Sequence, residues 1–287
     1  MRILVTGHRG MLGQDLMKRL AARHEALGLD LPETDITDPV QVQQFFKRTN
    51  PEAVIHAAAF TAVDECERQP ELAFRVNAEG TRNVAHACRE EQLPMLYVST
   101  DYVFDGEKPE PYVEEDTPNP ISVYGRSKLQ GERYVQETLD HYWIVRTSWL
   151  FGLKGKNFVE AILLKAAAGE HLRVVNDQVG APTYSLDLAA TIEQIVERGG
   201  GGVYHATNQG ECSWFDFARE ILRQAGADQV AVSPLSSSEL DRPAHRPRNS
   251  RMRNARVEQE GLSLLPPWQD ALGRYIASRP SSDEIRR

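Results

Sequence analysis

The sequence predicts an α/β fold, a doubly wound parallel sheet followed by a smaller C-terminal lobe. Three observations carry the prediction. Short apolar runs alternate with amphipathic stretches through the first half of the chain, the order that βαβ units impose. Each run is apolar almost throughout, as strands covered on both faces are. The first run ends in a glycine-rich turn.

Strands are expected at Ile3–Thr6, Ala26–Leu29, Ala53–Ala57, Met95–Ser99 and Trp143–Thr147. Between them, Leu12, Leu16 and Leu20 recur every four residues and mark one helical face, as do Val84, Ala87 and Cys88. After Trp149 the pattern loosens. A helix is expected over Phe158–Ala168, a strand at Leu172–Val175, a helix over Leu186–Val196 and a strand at Val203–Ala206 behind a glycine run. Ser213 is placed to cap a helix over Trp214–Gln224. The stretch Arg242–Arg256 is rich in Arg and Pro with little periodicity, and the tail after Pro280 is expected to fray.

A chain of 287 residues has room for one well-packed core and a smaller lobe. Its 41% hydrophobic and 26% charged residues are those of an ordinary globular protein. The net charge of −8 argues against a nucleic-acid partner. No apolar run is long enough for a membrane span, and MRILVTGHRG lacks the apolar core of a signal peptide. Cys66, Cys88 and Cys212 are odd in number and far apart, with neither a disulfide framework nor zinc spacing. A cytoplasmic location is expected.

The run ILVT leads straight into Gly7-His8-Arg9-Gly10-Met11-Leu12-Gly13. Gly7 and Gly10 permit a tight turn and close approach of backbone to a pyrophosphate. Gly13 lets the helix lie close on the sheet, and the helix N-terminus faces the anion with free N–H groups. The candidate ligand is a nicotinamide dinucleotide. Asp30, after the second strand, is placed to accept from a ribose 2′-hydroxyl and so favours NADH. Arg9, inside the turn, is placed to pair with the 2′-phosphate of NADPH. The two signals conflict. A bidentate guanidinium contact outweighs one neutral hydrogen bond, which tips the balance slightly to NADPH and leaves NADH open. Asp35 and Ile36 are candidates for the adenine edge. The small side chains of Ala57, Ala58 and Ala59 would leave room for the cofactor past the third strand, while His56 reads better as a core histidine than as an acid–base group. On this basis residues 1–148 form the dinucleotide-binding domain. Residues 149–287 form mainly a substrate lobe, with segments near 172–206 as candidates to rejoin the sheet.

Tyr124-Gly-Arg-Ser-Lys128 opens an expected helix. Four residues apart, the phenol and the ammonium share one face. Lys128 is expected to draw the Tyr124 pKa toward neutrality and make it a general acid for a developing alkoxide. Upstream, Ser99-Thr100-Asp101 closes a strand. Thr100 is the candidate to hold the substrate oxygen, with Ser99 as the alternative. Asn77, in RVNAEGT, is expected to steady a helix or a water chain near Lys128 and the cofactor.

GxxGxxG, HAAAFTAVDECE, VNAEGT, STDYVFDG, YGRSKLQGE, RTSWLFG, NDQVGAPT and RPRNS follow one another from Ile3 to about Trp268. In this order they resemble the dTDP-4-dehydrorhamnose reductase family of the extended short-chain dehydrogenases; STDYVFDG with DQVGAPT is the most specific part. The resemblance implies a Rossmann-type sheet, with sugar nucleotide held between the lobes. It implies reduction of the C4 keto group of dTDP-4-keto-L-rhamnose by Thr100, Tyr124 and Lys128. It also implies that Asp101, Tyr102 and Trp149 contact the sugar side, with Asn157, Arg248 and Asn249 near the nucleotide. Some of Lys154, Lys156, Arg246, Arg248, Arg251 and Arg253 are expected to face the diphosphate.

Two departures bear on metal and assembly. Some members of the family dimerise through magnesium held by acidic side chains. Asp15 keeps one acid, but Leu186 and Ser278 stand where others would be needed. No metal is expected, and monomer or homodimer is left open. A related dehydratase would carry Asp-Glu where this chain has Asp101-Tyr102, and a fucose-type epimerase-reductase would place a Cys beside Ser99. A non-catalytic NADP-binding regulatory subunit would lack the Tyr or the Lys, and both are present.

Overall fold

The structure, a computed structural model, describes residues 1–279; the expectation for the tail lies outside the described residues. Six parallel strands form the central sheet. Across the sheet they run Glu25–Leu29, Arg2–Thr6, Ala53–His56, Met95–Thr100, Tyr142–Thr147 and Gly202–His205. The second and third strands lie on opposite sides of the first. The crevice beyond the strand ends at this reversal is where doubly wound sheets bind ligands.

Neighbouring side chains along each strand enter opposite layers. Ile3, Val5 and Ile55 pack with Leu12, Leu16, Leu20, Leu188, Ile192 and Ile195. Leu4 and Val54 pack with Phe45, Phe46, Val84 and Val135. Helices Met11–Leu20 and Ser185–Arg198 therefore cover one face, and Pro39–Thr49, Thr81–Glu90 and Val123–Thr138 the other. Burial on both faces is why the strands read as continuous apolar runs.

Glu193 and Glu197 on the Ser185–Arg198 helix reach Arg19 in the last turn of the first helix and Arg23 and His24 just past it. Three side chains of metal-ligating type, His24, Glu193 and Glu197, meet there, but each carboxylate is already paired with an arginine.

The second lobe has its own core around Phe151, Val159, Phe217, Trp268 and Tyr275. Ser213 caps Trp214–Gln224 with a full capping box through Asp216. Three two-stranded pairs stitch this lobe together. Arg75–Gly80 forms a π-helical turn for which the sequence carried no signal. It points Asn77 inward with no exposed surface, the kind of local widening that often marks functional regions.

Candidate active site

The glycine turn is built by exclusion. Gly7 has φ +69°, and a Cβ there would lie 2.7 Å from the Ala58 nitrogen. A Cβ on Gly13 would lie 2.1 Å from the Gly7 oxygen. The helix that follows begins with no side-chain cap, so its first N–H groups are left for an anion.

Behind the alanines, Thr6 Oγ1 lies 2.6 Å from His56 Nδ1, and His56 Nε2 lies 3.1 Å from Thr81 Oγ1. The Thr81 hydroxyl donates to the Asn77 carbonyl, so it accepts from His56 Nε2–H and leaves Nδ1 to accept from Thr6. Burial pushes His56 down to about 3 and keeps it neutral. Thr6 in turn accepts from the Ala58 N–H. His56 is thus part of the frame that sets the alanine floor.

Two cavities open on this floor. One, of about 580 Å³, brings Gly7, Gly10, Met11, Leu12, Gly13, Ala57 and Ala59 together with Thr100, Asp101, Tyr102, Tyr124, Lys128 and Trp149. The other, of about 340 Å³, gathers Asp30, Asp35, Ile36 and Ala57 to Ala59. The glycine turn and the Tyr–Lys helix were joined in the sequence by inference alone; in space they face one cleft.

Around the phenol, Thr100 Oγ1 donates to Asp101 Oδ1 at 3.0 Å and accepts from the Tyr102 N–H at 3.2 Å. The Ser99 hydroxyl is turned the other way and donates to Glu132. That leaves Thr100 as the hydroxyl beside Tyr124, and its hydrogen bond works against the burial that dominates there. Lys128 Nζ donates to the Val98 carbonyl at 2.8 Å and lies 4.1 Å over the Tyr97 ring.

One expectation needs correction. Burial pushes the Tyr124 phenol up, not toward neutrality. Burial also brings Lys128 down, to about 7, against the opposing pull of Glu132. Desolvation is the largest cause at both groups. For proton donation this suits the phenol, which stays protonated across the neutral range.

Other candidates are held elsewhere. Arg9 pairs with Glu33 and donates to the Leu31 carbonyl, while its backbone N–H donates to Asp30. Both signals for cofactor choice thus sit at one rim and partly satisfy one another. Asn77 is spent on the Phe60 backbone and Ser127, which ties the π turn to the Tyr–Lys helix. Asn157 caps Phe158–Ala167 and donates to the Gly152 carbonyl. Asn249 pins a loop through Lys108 and Arg251, and Arg248 is exposed, its carbonyl taken by the Val179 N–H.

Among the expected diphosphate cations, Lys156 lines the main cleft. Arg246 is paired with Asp64, Arg251 with Glu211 and Arg253 with Glu258. Trp149 carries strained backbone at φ +46° and stacks on Trp214 of the second lobe at 3.5 Å. Such strain tends to be kept at functional positions.

The family model described as the RmlD substrate binding domain matches residues 1–280. A dTDP-4-dehydrorhamnose reductase from Streptomyces griseus is 42% identical, covering 94% of this chain and 91% of its own length. The chain belongs to the dTDP-4-dehydrorhamnose reductase family. A family structure from Bacillus anthracis, in complex with NADP, superposes with a TM-score of 0.94 at 40% identity and covers 96% of this chain and 98% of its own. A dTDP-4-keto-6-deoxy-D-glucose reductase from Streptomyces niveus is 38% identical over 94% of this chain and 95% of its own length. This is a family of nicotinamide-dependent oxidoreductases with a Rossmann-type sheet, and the six-stranded sheet here is of that type.

Proposed function

We propose that the chain reduces the C4 keto group of dTDP-4-keto-L-rhamnose to give dTDP-L-rhamnose. The observation that carries this reading is the meeting of Thr100, Tyr124 and Lys128 with the uncapped glycine turn in one cleft. Residues 1–148 hold the cofactor and residues 149–287 mainly the sugar nucleotide. Gly7, Gly10 and Gly13 make room for the pyrophosphate, and the nicotinamide, when bound, supplies a hydride to the keto carbon. Thr100 orients the carbonyl. Tyr124 delivers the proton to the oxygen, and Lys128 stabilises the phenolate left behind. Asp101, Tyr102 and Trp149 wall the sugar. NADPH is the slightly favoured cofactor and NADH the alternative. No metal takes part in this scheme.

A second reading, reduction of another dTDP-4-keto sugar, is favoured by the similarity to the Streptomyces niveus enzyme. The test is NADPH or NADH absorbance after addition of dTDP-4-keto-L-rhamnose or dTDP-4-keto-6-deoxy-D-glucose. Fastest decay with the first supports the main reading, and fastest decay with the second supports the alternative. Cofactor binding without turnover of any keto sugar would return the chain to the regulatory-subunit reading.

A further inference from the structure

One turn beyond Lys128 on the same helix lies Glu132, only 1% exposed. A carboxylate so deeply buried needs an opposite charge and full hydrogen bonding. It has both. Arg146, from the neighbouring strand and 3% exposed, donates Nε to Oε1 at 3.0 Å and Nη2 to Oε2 at 2.7 Å. Ser99 donates a third bond to Oε1 at 2.5 Å. Three donors hold the carboxylate in one orientation. A surface pair would be cheaper for mere stability, since a buried pair often does no better than apolar residues of equal volume.

We propose that Glu132, clamped by Arg146, is a positioning residue that sets how tightly Lys128 keeps its proton, and so the alkaline limit of turnover. The inference rests on the reductase reading for its consequence in catalysis, though not for its electrostatics. The titratable neighbours of Lys128 are Tyr124 and Glu132 on its own helix, Tyr97 on the strand beneath and His56 on the next strand. His56 is held neutral by burial, and burial also pushes the Tyr97 and Tyr124 phenols up. Glu132 is the one carboxylate in this set. Its field opposes the burial that brings Lys128 down to about 7.

The test uses the full chain with 13C-labelled lysine ε-carbons, the Lys128 signal being identified by its loss in Lys128→Met. Glu132→Gln should lower the Lys128 midpoint by roughly one pH unit or more. The alkaline limb of kcat/KM should move down with it, while Glu132→Asp keeps both near the native position. The Arg146 charge stays in Glu132→Gln and is removed in the double variant Glu132→Gln/Arg146→Met, which isolates the Glu132 field when read against Arg146→Met. The double variant leaves no unpaired buried charge and can be read even if Glu132→Gln alone fails to fold. An unmoved midpoint in folded Glu132→Gln, or a midpoint in the double variant no lower than in Arg146→Met, overturns the proposal, as does a uniform loss of kcat at all pH values without a moved limb. A moved midpoint in a protein that turns over no keto sugar would sink the reductase reading and leave the electrostatic role standing.

Discussion

At the scale of the residue, the site trades stability for chemistry. Lys128 is 2% exposed, and burial holds its ammonium down at about 7. A base depressed on folding contributes stability that is present above its unfolded pKa and lost as pH falls toward the folded value. At pH 7 most of that loss has been taken. Lys128→Met should therefore stabilise the fold at pH 7, by about 2–4 kcal/mol, while abolishing turnover. Urea melts at pH 7 check this, and a destabilised variant would show that the ammonium is better solvated than its surroundings indicate.

Asp101 has the opposite sense. Burial raises its carboxyl to about 6, so its contribution is complete below the usual carboxylate range and fades as pH rises through 6. Asp101→Asn should then shrink the difference in stability between pH 5 and pH 7.5, by about 1.4 kcal/mol at most. Tyr124→Phe should keep NADPH affinity and lower kcat by about 10²–10⁴. A kcat unchanged in that variant would remove the phenol from the mechanism.

At the scale of the element, the turn and the helix behind it are one device. A methyl at Gly13 meets the Gly7 carbonyl, so Gly13→Ala must push the helix off the turn. The expected cost is about 1–3 kcal/mol in stability, with a rise of about tenfold or more in the Kd for NADPH. Thermal melts and a fluorescence titration read both, and an unchanged Kd would mean that the helix start does not hold the pyrophosphate.

Such elements were largely legible in the sequence because their signals are local. ILVT before glycine, the leucines of Met11–Leu20 and the Ser213 cap all announce themselves within a few residues. What was not legible depends on distant partners. The π turn at Arg75–Gly80 exists because Asn77 finds Phe60 and Ser127. Strands Leu150–Phe151 and Thr183–Tyr184 are two residues long and exist only as each other's partner. Ser99 stood as the alternative to Thr100 in the sequence, and only the structure shows its hydroxyl claimed by Glu132. The direction of the Tyr124 shift was misjudged because a charge pair can be read from spacing, whereas the depth of burial cannot.

At the scale of the whole molecule, two buried histidines set the acid limit. His56 and His205 are both fully buried and held near 3 by burial. Each contributes stability above the usual histidine range that is lost as pH falls toward 3, at up to about 1.4 kcal/mol per pH unit for each ring. The His205 ring nitrogens make no well-formed hydrogen bond among the described residues, with the Tyr112 and Arg253 backbone beside them. His205→Phe should accordingly flatten the fall in Tm between pH 6.5 and 4, at little cost at neutral pH. An identical fall in the variant would place the acid sensitivity elsewhere.

The outermost strand beside Tyr142–Thr147 comes from residues 202 to 205, and the helix Ser185–Arg198 also covers the sheet. During synthesis the N-terminal half therefore emerges from the ribosome with one edge unpaired and one apolar face only partly covered, by Met11–Leu20. Some sixty residues must follow before either is closed. A nascent chain stalled near residue 150 should bind chaperones and fall to proteases, and release once residue 205 clears the exit tunnel.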